Sequence, residues 1–433
     1  MAKICAFRGV RYNLEVVGDL SRVVTQPYDR IGPEEEEAYK RRSPYNIVRI
    51  IGGKVPPQDE AEYARRGETF RTWLSQGVLL RDPEPGIYAY YQEFEWEGKR
   101  YTRKGLVALL DLQESPVKAH ERTLKGPKED RLKLLRATEA NFGHVFMLYQ
   151  DPARRASGAA AAEVAGREPD MTATDDFGNL HKLWRITDEE AIRAAREVLE
   201  GLPVFIADGH HRFETAVTFM RECFSRGWKP VPPETFTSRM VTLVNTAEPG
   251  LVIRPIHRIV HSLPGFDPDR LLKELERDFR VEALSSAEEA QTRLAAGMGK
   301  EHVFVLVLPE GRFYAASLRD DGKIPELVSG DRSLAWKSLD VSILHKAVLE
   351  RLLRIDEERL AAGTNVSYTP YRDKVIDAVR KGEGQLGVLL NPTRVEEVLA
   401  VAGHGERMPQ KSTDFYPKLL TGLVAMKMEI EKG

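Results

Sequence analysis

An apolar run, Pro203-Val-Phe-Ile-Ala207, leads without a spacer into Asp208-Gly-His-His-Arg212, and helical spacing follows from Phe213 to Phe224. A strand that turns through one glycine into a helix belongs to layered α/β architecture, so this junction limits the fold more than any other stretch. Glycine at such a bend takes backbone angles closed to other residues, and the first turn of the helix presents N–H groups that lack an intrahelical acceptor. Phosphate is the natural occupant of that position. His210, His211 and Arg212 add donors there, Arg gripping phosphoryl oxygens through two N–H groups. The competing reading makes Asp208 a plain N-cap and the histidines ordinary side chains.

At 433 residues the chain exceeds one hydrophobic core, and interleaved helices and strands give the class as α/β, with α+β as the variant. The boundaries drawn are 1–112 (β-rich or mixed), 113–262 (the part holding the junction) and 263–433 (a C-terminal α/β part). Ile87–Trp96 and Arg100–Leu112, joined across Glu97-Gly98-Lys99, predict a β-hairpin. Asn46–Ile51 reads as a strand closed by Gly52-Gly53, Glu60–Leu74 as a helix, Val145–Tyr149 as a buried strand, and the segment after Pro417 as a terminal helix.

Lys and Arg total 64 against 66 Asp and Glu, a net charge of −2, so no global field holds nucleic acid or an anionic membrane. Two cysteines, Cys5 and Cys223, match neither a disulfide framework nor a metal-ligand spacing, which fits a reducing cytoplasm. No run of about 18 apolar residues occurs. His210 and His211 diverge on a helix and lack an accompanying HExxH or paired Cys, so zinc is not expected.

Two further constellations carry chemistry. His120-Glu121-Arg122-Thr123 is followed by Lys125, Lys128, Asp130 and Arg131, a basic setting that keeps Glu121 ionised and able to accept a hydroxyl proton only in near-ideal geometry. In Met408–Lys418, Lys411, Ser412, Thr413, Tyr416 and Lys418 place two ammonium groups and three hydroxyls in eight positions stiffened by Pro409 and Pro417, a segment able to wrap an anion. No Gly-x-x-x-x-Gly precedes it, so it is not a Walker loop. The plain alternatives are a solvated charged loop ahead of a helix for the first and an exposed loop with a Ser or Thr cap for the second. Tyr28 and Asp29 in Pro27-Tyr-Asp29 form a turn that could touch substrate or metal, and Arg254-Pro-Ile-His-Arg258 reads as structural.

Taken together, Ile206–Ala216, His120–Thr123 with Gly126-Pro-Lys128 and Asp130-Arg131, and Met408–Lys418 resemble the bacterial family catalogued as domain of unknown function 1015, nearly end to end. The Asp-Gly-His-His-Arg loop is also similar to the phosphate loop of the ParB/sulfiredoxin superfamily, above all that of the free serine kinases, which carry a His-Glu pair upstream. The resemblance implies a ParB/sulfiredoxin-like core with a mixed sheet, and a kinase converting free L-serine to O-phosphoserine. It makes Glu121 the base and Asp208 and His210 catalytic partners. Gly209, His211, Arg212, Lys125, Lys128, Arg131, Lys411, Ser412, Thr413 and Lys418 would hold phosphate. His120, Arg122, Thr123, Tyr28, Asp29 and Tyr416 would face the acceptor. Between Glu121 and Asp208 lie 86 residues (208 − 121 − 1), which the compact kinases lack and which are expected to loop out as an insertion.

Pyrophosphate, which members of the family are connected with, needs only cations and amides, and Mg²⁺ would neutralise the remaining charge. ATP or ADP stays open as donor, since ParB-like folds bind nucleotides without a Gly-rich fingerprint. Serine, another hydroxy-amino acid or a small alcohol fits as acceptor. The alternative function is a ParB-like nucleotide-binding regulator or DNA-associated protein without kinase activity. A sulfiredoxin-like reductase needs a cysteine in the phosphate loop, where this chain has His210 and His211.

Overall fold

A computed structural model describes residues 2–121 and 125–433, and its contacts divide the chain into two compact units: Met1–Leu251 with Pro417–Gly433, and Val252–Tyr416. Each is α/β, as the interleaved pattern expects.

The first unit is built on a mixed sheet of nine strands among the described residues. They are β1 (Ile4–Cys5), β2 (Ile87–Trp96), β3 (Lys99–Asp111), β4 (Val117–Lys118), β5 (Val145–Tyr149), β6 (Met171–Thr174), β7 (Leu180–Ile186), β8 (Val204–Asp208) and β9 (Ser238–Asn245). Their order is β4-β8-β5-β9-β3-β2-β7-β6, with β1 alongside β3. β8 runs parallel to β4 and β9 parallel to β5, and the other pairs are antiparallel. The hairpin β2–β3 turns on Glu97 and Gly98, with φ of 50° and 74°, the two positive angles that a two-residue turn needs to match strand twist.

Side chains alternate across this sheet and give its two faces different chemistry. One face is apolar: Ile87, Ala89, Leu106, Ala108, Val145, Met147, Val204, Ile206, Val241 and Leu243 form one buried cluster. It is covered by helix α1 (Arg155–Val164) through Ala156, Ala160 and Val164, and by helix α2 (Glu189–Glu200) through Ala191, Ala195 and Leu199. The residues between Glu121 and Asp208 are therefore no insertion that loops out: β5, β6 and β7 are strands of the same sheet, and α1 and α2 cover it.

On the opposite face, Tyr90 and Gln92 of β2, Arg103 of β3 and His181 of β7 form a buried polar row. Gln92 stands directly opposite both Arg103 and His181. The Arg103 guanidinium donates to Gln92 Oε1 (Nε···Oε1 2.9 Å) and to the Pro417 carbonyl, and it lies 4.7 Å from the centre of the Phe146 ring. Gln92 Nε2 donates to the Lys418 carbonyl at 2.9 Å, and the Leu420 N–H donates to Tyr90 Oη at 3.1 Å. Tyr90 Oη is 2.7 Å from His181 Nδ1, and His181 Nε2 is 3.3 Å from Asp175. The row thus accepts the C-terminal segment as it enters the unit at Pro417.

That segment is not the helix its sequence suggests. Thr421 exchanges backbone hydrogen bonds with Thr25, and Ala425 exchanges them with Val10. Met426–Lys427 then pairs with Ala140–Asn141, and Ile430–Glu431 with Lys229–Pro230. Its backbone groups are satisfied by distant partners, so no i→i−4 ladder is required. Gly422, at φ 110°, would also interrupt one.

The strand expected at 46–51 is likewise a short helix, Val48–Ile51, ended by Gly52 at φ 64°. Val48, Ile50 and Ile51 are all buried, and a short apolar run buried on every side has no period that separates helix from strand. Helix spacing over 60–74 is met by a helix at Ala61–Ser75.

The second unit carries an antiparallel sheet in the order Phe279–Leu284, Arg312–Leu318, Val303–Leu308, Leu386–Leu390, His257–Val260, Val366–Thr369. A separate pair joins Val252–Arg254 to Asp414–Tyr416.

Replacing Arg103, which is 1% exposed, tests the polar row. Arg103→Met leaves the Pro417 carbonyl and Gln92 Oε1 without their donor, and should cost about 2–4 kcal/mol in urea unfolding of the full chain. A loss below about 1 kcal/mol would show that the row is not what secures the C-terminal segment.

Candidate active site

The site is organised by an irregularity in β8. Phe205 pairs with Leu148 and Ile206 with Met147, but Phe146 pairs with Asp208, so Ala207 is an extra residue. Strict alternation would put Asp208 on the side of Val204 and Ile206, inside the apolar cluster. The bulge returns it to the face of its partner Phe146, which is the face of Arg103.

There the Asp208 carboxylate is surrounded by cations. Lys418 Nζ is 3.3 Å away and an Arg212 guanidinium nitrogen 3.9 Å. Oδ1 accepts the Gly209 N–H at 2.8 Å. Burial pushes the carboxyl up, but Lys418, Arg212 and Arg30 outweigh it and hold the group well below the usual carboxylate range.

Gly209 takes φ 92° and ψ 28° and starts helix α3 (His210–Ser225), which no side chain caps. Asp208 therefore bonds its neighbour's amide and does not act as the N-cap. A Cβ on Gly209 would stand 3.1 Å from Arg212 Nε, so the glycine serves both the left-handed backbone and the close approach of the guanidinium. Arg212 also donates to the His144 carbonyl.

His210 is the link to Glu121. Its Nε2 accepts the His120 N–H at 3.4 Å, and its Nδ1 lies 3.5 Å from Glu121 Oε2. This pattern assigns the ring proton to Nδ1, facing the carboxylate. The two imidazoles of His120 and His210 meet edge to face at 4.7 Å. His210 is buried, whereas 46% of the Glu121 side chain stays exposed. His211 is pushed toward its neutral form chiefly by burial, and Lys128 and Arg212 add to that against Asp29 and Glu214.

Other sequence candidates are spread over several roles. Lys128 Nζ pairs with Glu214 at 3.0 Å. Arg131 is buried against Asp130, donates to the Ile51 carbonyl at 2.8 Å and lies 4.0 Å over the Tyr28 ring. Asp29 is exposed at the start of the turn after Pro27. Lys418 belongs to the first unit, while Lys411, Ser412, Thr413 and Tyr416 belong to the second. In that unit Ser412 Oγ donates to the Pro409 carbonyl at 2.6 Å, Arg258 donates to the Lys411 carbonyl at 3.1 Å, and Arg254 lies 4.1 Å over Tyr416 while pairing with Asp414. Arg122, Thr123 and the Lys125 side chain lie outside the described residues.

Arg30, Arg103 and Arg239 went unrecognised in the sequence. Arg30 directly follows Asp29 and could have been found from that neighbour. The other two are single arginines inside apolar strands, and an arginine in a strand otherwise fit for burial was the available signal.

The first unit is thus an α/β fold that brings together a glutamate, a buried histidine and a glycine bend whose preceding aspartate is surrounded by cations. The chain belongs to the family described as protein of unknown function (DUF1015), whose model matches residues 4–342. No curated relative matches it.

Among solved structures, a conserved hypothetical protein from Pyrococcus furiosus is similar at 13% identity and TM-score 0.32, covering 71% of this chain and 90% of its own. A free serine kinase mutant in complex with ADP is similar at 11% identity and TM-score 0.36, covering 75% and 92%. SbnI with a C-terminal truncation, from Staphylococcus aureus, is similar at 11% and 0.34, covering 73% and 85%. Likeness at this level says nothing of what the present chain acts on.

Acid titration tests the assignment around Asp208. A carboxyl held low in the folded chain contributes stability that is complete above its unfolded value near 4 and is lost as the pH falls through its folded value. Asp208→Asn should therefore lower stability at neutral pH and flatten the acid limb below about pH 4 by up to about 1.4 kcal/mol per pH unit. An acid limb identical to the wild type would remove Asp208 as the group the cations hold.

Proposed function

We propose that the protein is a small-molecule kinase that transfers a phosphoryl group to the hydroxyl of free L-serine, giving O-phosphoserine. The observation that carries this reading is the 3.5 Å approach of Glu121 to His210, the first helical residue of the Asp-Gly-His-His-Arg loop. A candidate base and a candidate phosphate cradle, far apart in sequence, meet at one edge of one sheet. In this reading the serine hydroxyl gives its proton to Glu121 as its oxygen attacks the donor phosphorus. The bond to the leaving phosphate breaks on the opposite side, and that phosphate carries away the electron pair.

Arg212, Lys418 and the amides of the first turn of α3 compensate the charge, and His210 orients Glu121. Phosphoryl transfer asks little covalent work of a protein, so positioning and charge compensation carry the rate. The family resemblance of the loop and of the upstream His-Glu pair supports the same reading. Pyrophosphate is the preferred donor, because the cations and amides at the loop suffice to hold it, with ATP and ADP as the nucleotide alternatives. Mg²⁺ is commonly held by one or two carboxylates together with phosphate oxygens. Glu121 and Asp208 are the carboxylates at this loop that could touch it, and it would offset charge on the donor.

Purified protein with Mg²⁺, L-serine and each donor in turn should yield phosphoserine. Glu121→Gln should lower kcat by about 10²–10⁴-fold with little change in donor KM. Arg212→Ala should raise the donor KM as well. Ordinary turnover by Glu121→Gln would remove Glu121 as the base, and no phosphoserine with any donor would end the serine kinase reading.

A further inference from the structure

Beneath the loop, within the first unit, is a cavity of about 60 Å³ whose lining includes Arg131, Arg212, Arg239, Asn141, Thr215 and Thr421. Arg239 is 5% exposed, and its guanidinium donates to the Gly143 carbonyl. No carboxylate among the described residues pairs with it. A buried guanidinium without a counter-charge is costly. The cost shows in its titration, which burial and the neighbouring Arg212 push down to about 9. Three buried polar atoms of lining residues, Arg239 Nε, Thr215 Oγ1 and Asn141 Nδ2, have no hydrogen-bond partner among the described residues. Thr215 is 3% and Asn141 1% exposed. The cavity therefore joins an excess of positive charge to unspent donors.

We infer that this cavity is an oxyanion subsite that takes one tetrahedral phosphate group between Arg239, Arg212 and Thr215. Its size selects the ligand. Space of this kind holds on the order of four waters, enough for a phosphate of five heavy atoms and far too little for a nucleoside. Arg212 sits on both sides of the question: it reaches Asp208 and Gly209 at the loop and also lines the cavity. Thr215 follows Arg212 by three residues on α3, so both face the cavity from one side of the helix. In sharing Arg212 the inference rests on the phosphate-holding reading of the loop. Arg239, Thr215 and Asn141 are additional to it.

The test is binding, with neither serine nor turnover. Full-length protein is titrated with orthophosphate, pyrophosphate and ADP in separate arms, with affinity read by calorimetry and stabilisation by thermal unfolding. Orthophosphate should bind saturably, and Arg239→Gln and Thr215→Val should each weaken it on the order of 10–100-fold. Thr215→Val is nearly isosteric and decides the matter if Arg239→Gln fails to fold. A loss confined to orthophosphate identifies free phosphate as the occupant, and a loss that extends to pyrophosphate or ADP identifies a terminal phosphoryl group.

Failure of wild-type protein to bind orthophosphate, or affinities within about twofold of wild type in the folded variants, overturns the subsite. Glu121→Gln separates the two readings. Phosphate bound normally by wild-type protein that makes no phosphoserine with any donor keeps the subsite and ends the kinase. Phosphoserine made by wild type and lost in Glu121→Gln, with phosphate binding untouched by Thr215→Val, does the reverse.

Discussion

One extra residue in one strand decides which way Asp208 points. If Ala207 were absorbed into regular alternation, the carboxylate would enter a cluster of valine, isoleucine, methionine and alanine side chains, where an unpaired carboxylate would have to take up a proton. The bulge instead delivers it to the face of Phe146 and Arg103. Lys418, Arg212 and Arg30 then keep it ionised. The turn at Gly209 and the start of α3 follow directly from where the strand ends. Bulges are common beside functional sites because they re-aim a side chain without disturbing the sheet around it.

What meets Asp208 there depends on the polar row across β2, β3 and β7. Lys418 is close because Arg103 holds the carbonyl of Pro417 and Gln92 holds that of Lys418. Tyr90 and His181 complete the row. A buried polar network of this kind stabilises only when its members are satisfied, and the segment it grips supplies the carbonyl acceptors. The C-terminal seventeen residues thus count as part of the first unit, although the rest of that unit ended at Leu251. One buried network couples where the chain finishes to how the loop is charged.

Much of this was legible in the residues. The hairpin announced itself through alternation and a glycine turn, and the junction at Asp208 through an apolar run meeting a glycine and helical spacing. That Glu121 lies near the loop was implied by the family resemblance and not by the residues alone, which read equally as a solvated charged loop. Three things were not legible. The short helix at Val48–Ile51 has no readable period because three of its four residues, Val48, Ile50 and Ile51, are buried. The terminal segment spends its hydrogen bonds on residues such as Thr25 and Val10, and partners 396 and 415 positions away (421 − 25 and 425 − 10) leave no local trace. The 86 residues between Glu121 and Asp208 resembled an insertion by count alone. Their strands pair across the sheet with β2, β8 and β9, a non-local arrangement that spacing cannot reveal.

Two buried arginines of the first unit stand out energetically. Arg103 and Arg239, both buried, are held down to about 10 and about 9 by loss of solvent. Asp208 already answers to Lys418 and Arg212. A fold built to be most stable empty would fill such positions with apolar side chains of similar volume, which is often neutral or better for stability than retaining charge. Under the proposed reading, a bound anion would offset part of the cost of retaining Arg239. An anion bound as proposed would meet charges already held in place, and binding and folding stability would then rise together through mass action. Preorganised charge of that kind needs no Gly-rich phosphate loop. Guanidinium and ammonium groups fixed by carbonyls and by one bulged strand provide it.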